Sequence, residues 1–259
     1  MSLFRRPAVA AAAAAFALAP LAGLAAPVYG PALSSLSFHP MVHTAGPSPF
    51  FLGHGGVNAN TTSTNWAGYA ATGSTYTSVS TTFTQPAVSC SSGDQYSAFW
   101  VGLDGYSSDS VEQTGTEADC AGRTAEYSAW YELYPANPVT DSNTVKPGDS
   151  ITETVTFSGT DTYAMTIKDS TEGWTKTTTK TSRGDARSSA EVIAEAPYDG
   201  GVLPLADFGK VTFDSSTVDG SSLSSFDPTG INMVSSSGAA EATTSGFSGD
   251  NFSITWNSK

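Results

Sequence analysis

Apolar and polar residues alternate with a period of two along most of the chain after Asn65, in short runs separated by Gly, Asp, Asn and Pro. This alternation is typical of strands with one buried and one exposed face. The run 95–103 is apolar on both faces and predicts a central strand covered on both sides. No long segment has a helical period, so the pattern predicts an all-β domain of two packed antiparallel sheets, a β-sandwich. The clearest alternating strands are predicted at 78–84, 150–157, 162–168 and 252–256.

Two later stretches, 214–230 and 235–249, are rich in Ser and Gly. Clusters of these residues between periodic segments are typical of loops. We therefore predict that both stretches are surface loops.

The N-terminus has the composition of a secretory signal. Two arginines precede an apolar run at 8–26, which is interrupted only by Pro20 and Gly23. A charged segment followed by an apolar segment is the pattern of an export signal. A retained membrane anchor is the alternative, although alanine is weakly apolar and Pro20 interrupts the run.

The chain divides into three parts on composition. Pro, Gly, Ser and Ala are frequent between the apolar run and the first predicted strand, without a sustained period of two. The length that follows is enough for one sizeable core. We predict a signal peptide at 1–26, a propeptide or flexible lead-in at 27–64, and one catalytic domain at 65–259.

The chain has 24 acidic and 11 basic residues, a net charge of −13. This charge disfavours nucleic acid and anionic membrane surfaces as partners of the mature protein, because both would repel it. Few basic residues also mean that protonation of the carboxylates at low pH leaves only a modest positive charge, which suits an acidic medium. An ordinary acidic protein that is soluble at neutral pH fits the composition equally well.

Cys90 and Cys120 are the only cysteines. In an exported chain they predict one disulfide, which closes a loop of about 30 residues and contributes ~3 kcal/mol by the chain-entropy estimate. In a cytosolic chain two free thiols would be expected instead.

All three histidines lie before residue 60, so the predicted catalytic domain has none. This excludes Ser-His-Asp and Cys-His mechanisms and makes a catalytic zinc site unfavourable. Carboxylates, amides and hydroxyls remain as the groups available for catalysis.

Glu191 lies in a predicted strand, 189–195, on the same face as Ile193. Burial beside apolar groups raises the pKa of a carboxyl group, which is what an acid/base catalyst needs. The alternative is that Glu191 and Glu195 are solvated charges on an edge strand.

Gln113 shares a face of another short predicted strand with Val111 and Gly115. A primary amide has two N–H donors and does not titrate, so it can stabilise a developing oxyanion at any pH. On its own, a glutamine before Thr-Gly more often indicates a turn.

One face of the predicted strand 123–135 combines carboxylates with large aromatic residues. A core face would not have two glutamates, and a solvated face would rarely have Trp130 and Tyr134, so the face predicts a substrate groove. A sheet face half-covered by a loop is the alternative. The residues of this face are Thr124, Glu126, Ser128, Trp130, Glu132 and Tyr134.

Five short motifs follow one another along the chain. They are Asn65-Trp66-Ala67-Gly68, Trp100-Val101-Gly102-Leu103-Asp104-Gly105, Gln113-Thr114-Gly115, Tyr127-Ser128-Ala129-Trp130-Tyr131-Glu132-Leu133-Tyr134-Pro135 and Ser189-Ala190-Glu191-Val192-Ile193. In this order they resemble the motif set of the eqolisins, the glutamic endopeptidases. The resemblance covers about three quarters of the chain, from Asn65 to Trp256.

The resemblance implies a concanavalin-like bent β-sandwich, secretion as a precursor, and hydrolysis of protein or peptide substrates at acid pH without a metal or organic cofactor. It also implies insensitivity to pepstatin-type inhibitors, and we expect a monomer. By the family pattern Gln113 and Glu191 are the catalytic dyad. The residues that would line the cleft are Trp66, Trp100, Asp104 and Trp130.

The sequence departs from the family pattern at two positions. Val192 stands where the fungal pattern usually has tryptophan, and Glu117 stands where an aspartate commonly follows the Gln-Thr-Gly turn. Both departures bear on the shape of the cleft rather than on the dyad.

Two other functions fit a β-sandwich of this kind. A glycosidase would use paired acids beside aromatics, but Glu126 and Glu132 are six residues apart on one strand, about 20 Å, so another partner would be needed. A non-catalytic peptide-binding or sugar-binding module would keep the groove without turnover.

Overall fold

The computed structural model describes residues 61–259. These residues form sixteen β-strands and one 3-10 helix, Leu223–Phe226. The strands are β1 Thr61–Ser63, β2 Trp66–Thr72, β3 Ser78–Thr84, β4 Ala98–Leu103, β5 Val111–Ala121, β6 Thr124–Tyr134, β7 Val139–Thr140, β8 Ser150–Phe157, β9 Thr162–Asp169, β10 Trp174–Thr181, β11 Ser189–Glu195, β12 Lys210–Val218, β13 Ser221–Ser222, β14 Thr229–Val234, β15 Ala240–Thr244 and β16 Phe252–Trp256.

One path of hydrogen-bonded neighbours joins all of these strands except β1 and β13, in the order β10-β9-β8-β3-β12-β16-β15-β14-β2-β11-β4-β5-β6-β7. Within residues 61–259 the strand pairs are antiparallel, apart from the parallel pair β1–β14. The path bends back on itself, so that β3 and β8 of one half pack on β4 and β5 of the other. The predicted all-β sandwich is confirmed, with its two layers joined by continuous strand pairing.

Most predicted strands are found where the alternation placed them. β3, β8, β11 and β16 have the predicted bounds, and β9 extends by one residue. The central strand β4 begins only at Ala98, because Gln95 and Tyr96 instead form isolated bridges to Cys120 and Leu205.

The prediction of surface loops at 214–230 and 235–249 is wrong where strands enter these stretches. β12 continues to Val218, β14 begins at Thr229, and β15 occupies 240–244. The pairing of β12 with β3 shifts register between Asp214 and Thr217. This bulge interrupts the period of two, so a strand that continues through it cannot be recognised by alternation.

The main core lies between the two layers. Phe99 of β4 packs near Phe83 of the opposite layer, with ring centroids 6.0 Å apart, and near Phe208 at 5.3 Å. All three rings are almost completely buried. Fully burying such a side chain stabilises the fold by roughly 1.5–3 kcal/mol each.

The two layers differ in how their strands are covered. β3, β8 and β9 alternate between buried and partly exposed positions. Every residue of β4 and β11, and ten of the eleven residues of β5, is buried. One face of these strands packs against the main core. The other face is also buried, and a functional site can be built there.

The predicted disulfide is confirmed: Cys90 and Cys120 are bonded. Cys120 lies near the end of β5, so the bond ties the segment before β4 to the sheet. Among residues 61–259, no helix is long and apolar enough to cross a membrane.

The predicted signal peptide and the predicted lead-in as far as Asn60 lie outside the described residues. β1 falls within the last residues of the predicted lead-in and pairs with β14. Among the described residues, paired structure therefore begins at Thr61.

Candidate active site

Four positions lie in register on one line across the sheet. Glu191 of β11 pairs with Gly102 of β4, Gly102 pairs with Gln113 of β5, and Gln113 pairs with Glu132 of β6. Residues directly opposite one another on neighbouring strands point to the same face. Glu191 and Gln113 therefore share a face, two strand spacings or about 10 Å apart at Cα. We name this line of four residues the dyad row.

Gly102 occupies the position between the two candidate catalytic side chains. A Cβ atom there would lie 2.9 Å from Cζ3 of Trp100 and 3.0 Å from Cγ1 of Val111, closer than side chains pack. Glycine is therefore needed on steric grounds. Gly102 itself therefore contributes no side chain between Glu191 and Gln113 on this row.

Gln113 is buried, with 1% of its surface exposed. Its Nε2 donates a hydrogen bond to Oε2 of Glu132, at 2.8 Å. Glu132 is also fully buried. A carboxylate accepts and does not donate, so this contact fixes which side of the amide faces β6.

Glu191 is fully buried, and its pKa is raised well above the ordinary value, chiefly by burial. The Ser189 hydroxyl and the Tyr106 backbone N–H act in the opposite direction, whereas the charges of Asp104 and Glu112 raise the pKa further. The predicted apolar surroundings of Glu191 are thus found: Ile193, one position along the same face, is also fully buried.

The predicted tryptophans lie on the same face as the dyad row. Trp100 and Trp130 are one row away from it, and Trp66 lies farther along. Trp100 is in register with Gly115, and Gly115 with Trp130. A Cβ at Gly115 would lie 2.6 Å from Cβ of Trp100 and 2.9 Å from Cζ2 of Trp130, so the two indoles need glycine between them. Trp66 meets Trp100 edge-on, with ring centroids 5.0 Å apart. The three indoles thus form an apolar floor beside the dyad row.

A second carboxylate holds this floor in place. Glu195 of β11 accepts a hydrogen bond from Nε1 of Trp100 at 2.8 Å and another from Nδ2 of Asn65 at 3.2 Å. Glu195 is fully buried, so the alternative that it is a solvated charge on an edge strand is wrong.

Asp104 has a different arrangement from the one expected of a cleft-lining residue. Its carboxylate accepts hydrogen bonds from the backbone N–H groups of Arg187 and Ser188, the latter at 2.7 Å, and from the Ser188 hydroxyl at 3.0 Å. The backbone at Asp104 is left-handed, with φ 67°. Asp104 therefore anchors the segment before β11, and its lining role remains a prediction.

The two departures from the family pattern fall away from the dyad row. Val192 lies on the opposite face of β11, in the main core, so it does not shape the cleft. Glu117 lies on the cleft face of β5, two rows from Gln113. Its Oε2 accepts a hydrogen bond from the Ser128 hydroxyl at 2.8 Å.

A cavity of about 390 Å³ lies at the end of the cleft face. Tyr134, one of its lining residues, follows Glu132 on the same face of β6, two residues or about 7 Å along the strand. Arg183 and Asp185 of the segment between β10 and β11 line the other side. The cavity is thus a continuation of the cleft face beyond the dyad row.

Within residues 61–259, no group of His, Cys, Asp or Glu side chains is arranged to hold a metal ion. The rival acid pair is not brought together: Glu126 is in register with Asp119, and Glu132 with Gln113, at separate points along β5 and β6.

Comparison with known proteins identifies the family. The family model of the peptidase A4 family matches residues 64–256. The chain belongs to the peptidase A4 family. It is 32% identical to aspergillopepsin-2 of Aspergillus niger over 221 residues, which cover 75% of this chain and 78% of that protein. It is 35% identical to scytalidopepsin B of Scytalidium lignicola over 146 residues, 54% of this chain and 55% of that protein.

Solved structures of peptidases have the same architecture. Scytalido-glutamic peptidase bound to a transition-state analogue inhibitor superimposes with a TM-score of 0.66 at 28% identity, covering 75% of this chain and 98% of that one. Aspergilloglutamic peptidase from Aspergillus niger gives 0.56 at 30% identity, covering 63% and 99%. The resemblance to the eqolisins and the prediction of a glutamic peptidase are therefore confirmed.

Sequence reasoning did not find the partners of the predicted residues. The sequence predicts that Glu132 lies on the aromatic face of its strand, but the bond from Gln113 to Glu132 depends on the register of β5 and β6. The bond from Trp100 to Glu195 depends in the same way on the pairing of β4 with β11. The alternation of each strand gave the faces, and only the pairing gives the neighbours.

Proposed function

We propose that this family member is a secreted acid endopeptidase in which Gln113 and Glu191 are the catalytic dyad. The observation that carries the proposal is the dyad row, where an amide and a carboxyl group share one buried face with a glycine between them. Residues 61–259 contain no histidine and no group of side chains arranged to hold a metal ion. A carboxyl group is then the base that the site offers.

The reaction is hydrolysis of a peptide bond through a non-covalent tetrahedral intermediate. Glu191 takes a proton from a water molecule as the water oxygen attacks the scissile carbonyl carbon. The carbonyl oxygen becomes negative and accepts a hydrogen bond from the Gln113 amide. The protonated Glu191 then gives its proton to the leaving nitrogen as the C–N bond breaks, which restores the carboxylate.

The raised pKa of Glu191 has two consequences for this reaction. It makes the carboxylate a stronger base and its protonated form a sufficient acid for the leaving amine. It also means that only part of the enzyme has an ionised Glu191 at low pH. The Ser189 hydroxyl and the Tyr106 N–H favour the charged form and so limit the rise in the pKa of Glu191.

The expected substrates are proteins or peptides. Structures of relatives include a scytalido-glutamic peptidase with a peptide-based transition-state analogue and SCP-B with the tripeptide Ala-Ile-His. In this chain a peptide would lie across the dyad row, over the floor formed by Trp66, Trp100 and Trp130. The acidic composition and the disulfide fit an exported protein that acts without nucleic acid or membrane.

The test is a protease assay of the secreted protein at pH 3 on casein or haemoglobin, with pepstatin and a chelator present. Cleavage should persist with both inhibitors. Glu191→Gln should nearly abolish turnover, because an amide cannot accept the proton of the water molecule. Gln113→Ala should lower kcat about 100-fold, the scale for one oxyanion donor. Substantial cleavage by Glu191→Gln would refute the assignment.

A further inference from the structure

Gln113 has a neighbour on the dyad row that the proposed mechanism does not use. Glu132 is in register with it on β6, both side chains are buried, and the bond from Nε2 to Oε2 is 2.8 Å. Glu132 lies on the side of Gln113 that faces away from Glu191, because β6 and β4 flank β5 on opposite sides. The amide is thus held from one side and faces the reacting groups on the other.

The orientation of a primary amide matters for the role proposed for Gln113. Its oxygen and nitrogen have nearly the same size, so the group can turn over without changing the packing around it. Only the nitrogen can donate to a carbonyl oxygen that becomes negative. A turned-over amide would bring its own oxygen close to that charge and raise the barrier to reaction.

A carboxylate beside the amide removes this ambiguity. Oε2 of Glu132 accepts from the amide nitrogen, and in its ionised form Glu132 has only acceptor oxygens and would repel the amide oxygen. One N–H donates to Glu132, and in the proposed mechanism the other N–H is the one that donates to the substrate. A hydrogen bond to ionised Glu132 would be roughly twice as strong as one to a neutral acceptor, which favours this orientation.

From this geometry we infer that Glu132 is a positioning residue, which holds the Gln113 amide in the orientation that donates to the tetrahedral intermediate. The inference rests on the proposed function, since it acts through Gln113. It predicts that Glu132 contributes to kcat and contributes little to substrate affinity.

Glu132→Gln is the informative substitution, because it keeps the shape and removes the charge. The new amide can donate to Oε1 of Gln113 and so stabilise the wrong orientation. With a peptide substrate at acid pH, we expect kcat to fall between about tenfold and a hundredfold, the range for a bond to a charged group. KM should stay within about twofold.

Glu117→Gln is the matched control. Glu117 lies on the same face of the same strand pair and is also buried. Like Glu132, it accepts a hydrogen bond from the neighbouring strand, in its case from Ser128 of β6. A general effect of removing a buried carboxylate from β5 and β6 would appear in both variants. We expect kcat of Glu117→Gln within about twofold of the wild type, with thermal unfolding midpoints of the two variants measured in parallel. Equal loss of kcat in both would overturn the inference.

The double variant Gln113→Ala/Glu132→Gln separates positioning from other roles. If Glu132 acts only through Gln113, its substitution should change kcat by less than about twofold once Gln113 is alanine, a fully non-additive result. Additive losses, or a wild-type kcat in Glu132→Gln alone, would overturn the inference and leave the dyad intact. A wild-type kcat in Gln113→Ala alone would instead overturn the proposed function and the inference with it.

The wild-type protein gives an independent answer if Glu132→Gln fails to fold. In ¹⁵N-edited NMR spectra, with the signal assigned by its loss in Gln113→Ala, one side-chain N–H of Gln113 should exchange slowly with solvent while held by Glu132. Rapid exchange of both side-chain protons with solvent would show that Glu132 does not hold the amide, and would overturn the inference.

Discussion

Glu112 and Gln113 are neighbours in sequence, both are buried, and they lie on opposite faces of β5. Gln113 faces the cleft, in line with Glu191. Glu112 faces the main core, between Leu103 of β4 and Leu133 of β6. Burial alone therefore does not distinguish a candidate catalytic group from a structural one. The strand partners of each residue make the distinction.

The two faces use their buried carboxyl groups differently. On the cleft face, Glu132 and Glu195 accept hydrogen bonds from side chains of the site, Gln113 and Trp100. On the core face, burial raises the pKa of Glu112 to about 9, helped by the charges of Asp185 and Asp104. Across the core, burial also raises the pKa of Glu153 well above its ordinary value. The core carboxyls are thus neutral under acidic conditions.

The largest effect is expected at Glu112. A carboxyl group whose pKa is raised on folding binds its proton more tightly in the folded state, so its favourable contribution is complete at low pH and is lost as pH rises through its folded pKa. The ordinary pKa of a glutamate is 4.5. As the pH rises from 4.5 to 7, Glu112 alone should lower the free energy of unfolding by about 3 kcal/mol. Glu112→Gln should remove this loss and leave kcat at acid pH within about twofold.

Urea unfolding at pH 4 and pH 7 checks this prediction, with Asp250→Asn, an exposed carboxylate, as the control. The wild type and the control should both lose stability at pH 7, and Glu112→Gln should lose about 3 kcal/mol less. An equal loss in all three proteins would contradict the neutral state of Glu112. A large drop in kcat would show that the core face takes part in catalysis.

The disulfide should have a similar effect on stability. Cys120 is on the same core face of β5 as Glu112 and lies seven residues, about 23 Å, from Gln113. Replacing both cysteines by serine should lower the unfolding free energy by about 3 kcal/mol. Because the bond is remote from the dyad row, kcat of the folded fraction should not change. Denaturant unfolding and an active-site titration at acid pH measure the two quantities, and a fall in kcat would link the disulfide to the site.

A smaller effect is expected on the cleft face at Trp100. Trp100→Phe removes the bond to Glu195 and reduces the edge contact with Trp66. We expect kcat/KM on peptides to fall about tenfold, equivalent to ~1.4 kcal/mol. Trp174→Phe is the control, because its indole also donates a hydrogen bond, to the Thr144 carbonyl at 3.1 Å, but on the other half of the fold. A similar fall in both variants would mean that the floor of the cleft has no special role.

The sequence predicted strands and their faces well where alternation was regular. The bounds of β3 and β8 follow from side chains that alternate between buried and partly exposed positions. Alternation failed at the bulge in β12, because the extra residue reverses the faces along the strand. It also indicated only a short strand around Gln113, although β5 has eleven residues.

The candidate site could be predicted only as a set of residues. Glu191 and Gln113 are 78 positions apart in the sequence, and no local pattern states that Gly102 lies between them. The orientation of Asp104 toward the backbone at 187–188 depends on a left-handed residue at the end of β4. Such contacts arise from long-range register, which single strands do not encode.

The most direct test of the central claim is a crystal structure at acid pH with a peptide transition-state analogue. Both a carboxylate oxygen of Glu191 and the Nε2 of Gln113 should lie within hydrogen-bond distance, about 2.6–3.2 Å, of the two oxygens on the tetrahedral carbon. An analogue bound with its tetrahedral carbon away from the dyad row, or contacting only one of these two side chains, would contradict the account.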